Sequence, residues 1–96
     1  RRIAEQYRDF FNSIEVEFIW EPEYSVSNFW LNAIKVSDLE ERNRFLEYMN
    51  DKGIGCRPLW RLMHRLDIYK HCFCGSLETS EYLNDRIINI PSGVVY

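Results

Sequence analysis

Apolar residues recur at three- and four-residue steps near the start of the chain, which predicts a helix over residues 1–14. The apolar face of this helix consists of Ile3, Tyr7, Phe10, Phe11 and Ile14. Residues 15–20 begin with polar and apolar residues in alternation and then lose the pattern. This favours a short strand or extended segment, which Pro22 ends.

The best strand candidate is segment 28–36, which carries two aromatic and several β-branched residues. Ser37, followed by Glu40 three residues later, has the pattern of a capping box and predicts a helix over residues 38–52. Gly53 is placed as the left-handed residue that ends it. The inner face of this helix is predicted to consist of Leu39, Phe45, Leu46 and Met49.

The second half of the chain has weaker patterns. Residues 54–57 are predicted to be extended, since Pro58 disfavours a helix before it. The segment 59–74 has no clear pattern apart from one plausible helical turn near residues 62–66. Ser76 predicts the cap of a helix through Arg86, and the β-branched isoleucines of segment 86–90 predict a last strand. The predicted inner residues of this helix are Leu77, Tyr82 and Leu83.

The order α, β, α, β, loop, α, β favours an α+β domain, a small sheet of about three strands covered by helices. The long middle loop is expected at one edge of that sheet. Ninety-six residues suit one domain, and its fifteen aromatic rings exceed what such a core can hide. Some rings are therefore expected to line a ligand site or an interface.

Charge and cysteine content narrow the class of protein. A net charge of −3 without a basic segment argues against nucleic-acid binding, and no apolar run is long enough to span a membrane. The start at Arg1, without an initiator Met, suggests a piece of a longer protein. Three cysteines and no secretory signal favour reduced thiols in the cytoplasm.

Candidate chemistry is concentrated in the segment 55–64, where Arg57, Trp60 and His64 lie on proline-containing backbone, with Tyr69 soon after. Arg57 suits a carboxylate or phosphate, Trp60 suits stacking on a sugar or base, and His64 suits a ligand hydrogen bond. Each also has a purely structural interpretation: a surface ion pair, a core aromatic and a backbone-bonded histidine. Taken singly, the structural interpretations are favoured.

Metal binding and nucleophilic catalysis are not predicted. His64, His71, Cys72 and Cys74 lack the second pair of ligands that a structural zinc site needs. A Cys–His nucleophile would lack an oxyanion loop, and no glycine-rich phosphate loop is present.

Taken together, the motifs resemble the C-terminal domain of the DegT/DnrJ family of sugar aminotransferases over essentially the whole chain. One motif runs Gly53-Ile54…Arg57-Pro58-x-Trp60-x-Leu62-Met63-His64-x-Leu66-x-x-Tyr69, and another runs Glu81-x-Leu83-x-x-Arg86-Ile87-Ile88-Asn89-Ile90-Pro91-Ser92. Upstream, Arg2-Ile3-Ala4-x-x-Tyr7 resembles the helix that enters that domain, and Ser27-Asn28-x-Trp30-Leu31 resembles its first strand. The family often has proline at the position of Asp67.

The resemblance implies that residues 1–96 are the C-terminal small domain of an enzyme of the aspartate-aminotransferase fold type that uses pyridoxal phosphate (PLP). Such enzymes are usually homodimers that move an amino group from glutamate to a nucleotide-linked keto sugar in the cytoplasm, for cell-surface polysaccharides. The block from Arg57 to His64 looks closest to the branch that aminates C4 of UDP-linked 2-acetamido-hexuloses. The resemblance implies that His64 is the first choice for a hydrogen bond to the sugar and that Trp60 and Tyr69 shape the pocket. It also implies that Arg57 binds an anion, either the pyrophosphate of the nucleotide sugar or the carboxylate of glutamate.

In that family the Schiff-base lysine and most PLP contacts belong to a large N-terminal domain. The lysines here, Lys35, Lys52 and Lys70, lie in no segment like the cofactor motif. No catalytic residue is therefore assigned, and the fragment alone is expected to be inactive. The alternative is a non-catalytic binding or protein-interaction module derived from such a domain.

Overall fold

Helices and short strands alternate in the computed structural model, which describes residues 1–93. In chain order the elements are α1 (Arg2–Ser13), β1 (Glu17–Phe18), β2 (Asn32–Lys35), α2 (Leu39–Asp51), β3 (Arg57–Pro58), the 3-10 turns Met63–Arg65 and Asp67–Tyr69, α3 (Glu78–Arg86) and β4 (Ile87–Ile90). No helix within these residues has both the length and the apolar character needed to cross a bilayer.

The strands form one antiparallel sheet in the order β1-β2-β4-β3. The predicted α+β class is confirmed, with four strands instead of about three. The edge strands β1 and β3 have two residues each; β1 lies within segment 15–20, predicted as a short strand or extended segment, and β3 begins at the end of the predicted extended segment 54–57. Because β3 is an edge strand, the long loop that follows it starts at the edge of the sheet, as predicted.

One face of the sheet forms the core. Ile34 and Ile88 are directly opposite each other on β2 and β4, and both are fully buried. Neighbouring residues of a strand point to opposite faces, so the register places Ala33, Asn89 and Arg57 together on the other face. We call this second face the open face of the sheet.

Helix α1 covers the core face with its apolar stripe. Ala4 and Phe11 are buried, and the ring of Phe11 stacks on Phe18 of β1 with ring centroids 6.2 Å apart. The hydroxyl of Tyr7 donates a hydrogen bond of 2.7 Å to the carbonyl oxygen of Pro91. This bond ties α1 to the segment that follows β4.

The start of α2 lies one residue later than predicted, so the Ser37 cap is wrong. Asp38 is the N-cap, and its carboxylate accepts a hydrogen bond of 2.8 Å from the backbone N–H of Glu41. Glu41 in turn accepts one of 3.0 Å from the N–H of Ser37. Asp and Ser are equally good N-caps, so the sequence alone did not decide between them. Leu39, predicted to face inward, is exposed in the first turn; Phe45, Leu46 and Met49 do pack on the core.

The predicted cap and inner face of α3 are corrected in the same way. The helix begins at Glu78 after Leu77, and Ser76 makes no capping bond. Tyr82 is exposed, because its ring lies against the Arg86 guanidinium, 3.9 Å from the ring centroid. The buried residue of α3 is Asn84, which was not predicted.

The end of α2 confirms the role predicted for Gly53. Gly53 has a φ of 78°, its N–H bonds to the Asn50 carbonyl, and the N–H of Ile54 bonds to the Met49 carbonyl. This pair of bonds is a Schellman motif, which satisfies carbonyl groups left free at the helix end.

We expect the substitution Gly53→Ala to lower the free energy of unfolding by about 1 kcal/mol, because a left-handed conformation costs an L-residue about that much. No atom lies within 4 Å of an added Cβ, so the loss would be conformational and not steric. Urea unfolding followed by circular dichroism measures it. The matched control is Gly75→Ala, where a Cβ also meets nothing and φ is not positive. Equal losses in both variants would contradict the role of the left-handed cap.

Candidate functional site

Two of the predicted site residues, Arg57 and Trp60, lie in a cleft on the open face of the sheet. The cleft has a volume of about 300 Å³. We call it the Trp cleft; its lining residues are Trp30, Leu31, Gly55, Arg57, Trp60, Asn89, Ile90, Pro91 and Ser92. An adjoining concavity of about 420 Å³ shares Trp30, Leu31, Trp60 and Asn89 with it. The two concavities together form one aromatic-walled surface.

Trp30 reaches the cleft because the loop before β2 turns sharply. The side chain of Asn28 accepts a hydrogen bond of 3.0 Å from the Trp30 N–H, and the Ser27 hydroxyl accepts one of 3.0 Å from the Phe29 N–H. Phe29 takes a φ of 50°, which is uncommon for an aromatic residue. Its ring packs on Trp20, with centroids 4.6 Å apart. Phe29 therefore points inward and leaves Trp30 69% exposed.

A charged contact fixes the other end of this loop. The Glu21 carboxylate accepts hydrogen bonds from the Arg1 guanidinium, at 3.1 Å from Nη1, and from the backbone N–H of Ser27. The bond from Arg1, followed by that from Ser27, lowers the pKa of Glu21 to about 2. The carboxylate is thus ionised at neutral pH and holds residues 21–27 in place.

Trp60 and Arg57 are held by their backbones, while their side chains remain free. The Trp60 carbonyl accepts a hydrogen bond of 3.3 Å from the Asn84 side chain, yet the Trp60 residue is 78% exposed. Arg57 lies on β3 opposite Asn89, and its guanidinium makes no hydrogen bond or ion pair with any residue of the described chain, 1–93. Neither the core position considered for Trp60 nor the surface ion pair considered for Arg57 is found.

The other two predicted residues, His64 and Tyr69, line a separate pocket of about 390 Å³. We call it the His64 pocket; its lining residues are Leu62, Met63, His64, Tyr69, Cys72, Phe73, Cys74, Leu77 and Ser80. The two 3-10 turns create it, because the N–H groups of Arg65 and Tyr69 bond back to the carbonyls of Leu62 and Leu66 at 3.0 Å each. These turns bring both side chains to the same wall.

His64 contacts an acid at the rim of this pocket. Its Nε2 lies 3.4 Å from Oε1 of Glu81 on α3, and Nη2 of Arg65 lies 3.8 Å from the same oxygen. The Glu81 carboxylate thus lies beside both His64 and Arg65 at the rim of the pocket. His64 therefore faces a carboxylate. The alternative considered from the sequence, a His64 hydrogen-bonded to the backbone, is not found in the described residues.

The four predicted residues therefore divide into two pairs, and the lining residues of the Trp cleft and the His64 pocket do not overlap. Sequence reasoning also missed Trp30 and Asn89 as cleft residues. The signal for Trp30 was Asn28 two residues earlier, a residue type that closes tight turns. The signal for Asn89 was its place as the single polar residue between Ile88 and Ile90 on a strand.

The cysteines and acids offer little further chemistry. Cys56 is buried in the core, and this burial raises the pKa of its thiol. Cys72 and Cys74 are exposed. Across residues 1–93, no three or more His, Cys, Asp or Glu side chains are grouped to hold a metal ion.

The lysines of the described residues do not fit the role of a PLP anchor. A Schiff-base lysine must be neutral to react. Lys35 Nζ lies 2.9 Å from Glu17, and this hydrogen bond raises the pKa of its ammonium group. Lys70 is paired with Asp67 at 2.8 Å, and the Lys52 ammonium lies over the ring of Tyr48. No step of a PLP reaction can be assigned to them.

Comparison with solved structures gives an informative likeness, while two other comparisons find no match. No family model matches the chain. No curated protein matches it either. Among solved structures, the chain is similar to a DegT DnrJ EryC1 StrS aminotransferase from Brucella abortus, with a TM-score of 0.77 and 25% sequence identity over 94% of this chain. It spans only 24% of that protein's length. The chain thus has the fold of a small domain of an aminotransferase-fold protein, and the likeness supports an origin in the DegT/DnrJ/EryC1/StrS aminotransferases.

Proposed function

We propose that this chain is the C-terminal small domain of a PLP-dependent aminotransferase that transfers an amino group from glutamate to a nucleotide-linked keto sugar. The observation that carries this proposal is the likeness to an aminotransferase over 94% of the chain. PLP is held by the large domain of the same polypeptide, and a second subunit completes a homodimer. The enzyme works in the cytoplasm. The small domain supplies the wall of the active site that faces the sugar.

His64 is the residue that contacts the sugar. Nε2 lies 3.4 Å from the Glu81 carboxylate at the rim, and the other ring nitrogen is available to a sugar hydroxyl or acetamido group. Tyr69 and the apolar residues of the His64 pocket exclude water around that contact. A pocket with few polar groups and many apolar ones orients a ligand through the polar groups.

Arg57 binds an anion of the substrates, and Trp60 forms the adjacent wall. The Arg57 guanidinium has no partner among residues 1–93, and its planar fork can bond two oxygens of a phosphate or carboxylate at once. The family resemblance limits the anion to the pyrophosphate of the sugar nucleotide or to the carboxylate of glutamate.

The test uses the full-length polypeptide encoded by the native gene. We expect it to convert a UDP-linked 4-keto-2-acetamido sugar and glutamate into the 4-amino sugar and an equal amount of 2-oxoglutarate, detected by mass spectrometry. Omitting glutamate is the control and should abolish the product. A gene that encodes no PLP-binding lysine domain before Arg1, or a full-length protein that aminates none of a panel of UDP- and dTDP-linked keto sugars, would refute the proposal.

The exposed tryptophans support one alternative, a non-catalytic interaction module. Trp30 and Trp60 present indole surface that a protein partner could cover. The sequence upstream of Arg1 separates the two proposals, because the alternative needs no PLP-binding domain there.

A further inference from the structure

We propose that the Trp cleft binds the nucleoside diphosphate part of the sugar nucleotide, with the base between Trp30 and Trp60, its edge on Asn89 and the pyrophosphate on Arg57. This inference rests on the proposed function and deepens it, since it separates the nucleotide from the sugar, which the His64 pocket contacts. It also chooses the pyrophosphate over the glutamate carboxylate as the anion at Arg57.

Two unstacked indoles form the walls. Trp30 and Trp60 are 69% and 78% exposed, and both line the cleft and its adjoining concavity. They come from separate loops, one before β2 and one after β3. Within residues 1–93 they do not pair with each other, although six other aromatic pairs do. Each indole therefore keeps a free face on which a planar base can stack.

The base of the Trp cleft presents polar side chains that make no hydrogen bond within the described residues. Asn89 and Arg57 are register partners on β4 and β3, so their Cβ atoms lie on the same face about 5 Å apart. Like the Arg57 guanidinium, the Asn89 side chain makes no hydrogen bond with the described residues. A carboxamide presents one donor edge and one acceptor edge, which match the neighbouring acceptor and donor of uracil or thymine. Gly55 adds no side chain there, which leaves room for a ligand.

The charge of the cleft also favours an anion. Among residues 1–93, none of those lining the Trp cleft or its adjoining concavity is acidic, and Arg57 is the single ionised side chain. The His64 pocket differs, because the Arg65 guanidinium beside its histidine is already paired with the Glu81 carboxylate. Trp60 and His64 are four residues apart, so their Cα atoms are separated by at most about 14 Å. One nucleotide-sugar molecule can therefore occupy both sites.

The test titrates the 96-residue chain with UDP, uridine and inorganic pyrophosphate, followed by the indole N–H signals in ¹H–¹⁵N NMR spectra. We expect UDP to shift the signals of Trp30 and Trp60, uridine to shift them at higher concentration, and pyrophosphate to leave them nearly unchanged. The Trp20 signal comes from a ring packed on Phe29 and should stay in place. UDP that moves neither Trp30 nor Trp60 overturns the inference.

Two variants separate the base from the phosphate contacts. Trp60→Ala should weaken UDP and uridine alike by about tenfold, the effect of losing one stacked base. Arg57→Gln should weaken UDP by about tenfold and leave uridine unchanged. The matched controls are Tyr24→Ala and Arg44→Gln, which change exposed residues outside the cleft. Controls that weaken UDP as much as the cleft variants also overturn the inference.

The inference and the proposed function can fail separately. If UDP binds the cleft as described but the full-length protein transfers no amino group, the nucleotide site stands and the enzymatic proposal falls. If the full-length protein is an active aminotransferase and Trp60→Ala and Arg57→Gln leave its KM for the sugar nucleotide unchanged, the inference alone is wrong. Indole rings of Trp30 and Trp60 that acrylamide cannot quench in the full-length protein would likewise show that protein covers this face.

Discussion

Replacing Ile88 by alanine is expected to lower the free energy of unfolding by about 2 to 5 kcal/mol. Ile88 is 0% exposed and lies on the central strand β4, directly opposite Ile34 on one side and Pro58 on the other. Its removal leaves a cavity in the core cluster on one face of the sheet, and the strands below are held by backbone bonds and cannot close it. A domain of this size has a total stability of about 5 to 15 kcal/mol, so the variant would lose a large part of it.

Urea unfolding, followed by circular dichroism and tryptophan fluorescence, measures this loss. The matched control is Ile68→Ala, which removes the same atoms from a residue that is 77% exposed. The control should change the free energy of unfolding by no more than about 0.5 kcal/mol. Similar losses in the two variants would mean that β4 is not the centre of the core.

The second large effect concerns His64. In the full-length protein, the proposed function predicts that His64→Ala lowers kcat/KM for the keto sugar by about 10- to 100-fold, the effect of leaving one polar group of the bound sugar without its hydrogen bond. The free energy of unfolding should change little, because His64 lies at the rim of a pocket and not in the core cluster. Steady-state kinetics with the sugar varied at saturating glutamate measures the change.

Two further variants make the His64 experiment specific. His71→Ala removes the other histidine, which is exposed and does not line the pocket, and should leave the kinetics unchanged. His64→Gln retains a hydrogen-bonding group and should recover part of the lost kcat/KM. Kinetics that are unaffected by His64→Ala would remove His64 from the substrate site.

Elements with a long periodic pattern were predictable from the sequence. Helix α1 has apolar residues at regular steps from Ile3 to Phe11, and β4 has three isoleucines between Ile87 and Ile90. Several residues of each element therefore give the same signal, and both elements were predicted near their true limits. The start of α2 and the start of α3 depend on which single backbone N–H a side chain reaches. Neighbouring residues of similar chemistry, such as Ser37 and Asp38, compete for that role, and packing decides between them.

The candidate site was predictable only as a set of residues. Arg57, Trp60, His64 and Tyr69 line concavities, but their division between two sites was not foreseen, and their role in binding a substrate stays a prediction. The path of the loop after β3 depends on single contacts, such as the bond from Asn84 on α3 to the Trp60 carbonyl. Such a contact joins residues far apart in the chain and leaves no periodic signal.

The strand order has a consequence for how the chain is made. Strand β4, the last strand within residues 1–93, lies between β2 and β3, and no other strand pairs with β3 in the described sheet. While the ribosome is still adding the residues before Ile87, only the β1–β2 pair can form. The sheet of the nascent domain therefore cannot be completed before β4 has emerged, and until then its apolar face remains available to chaperones.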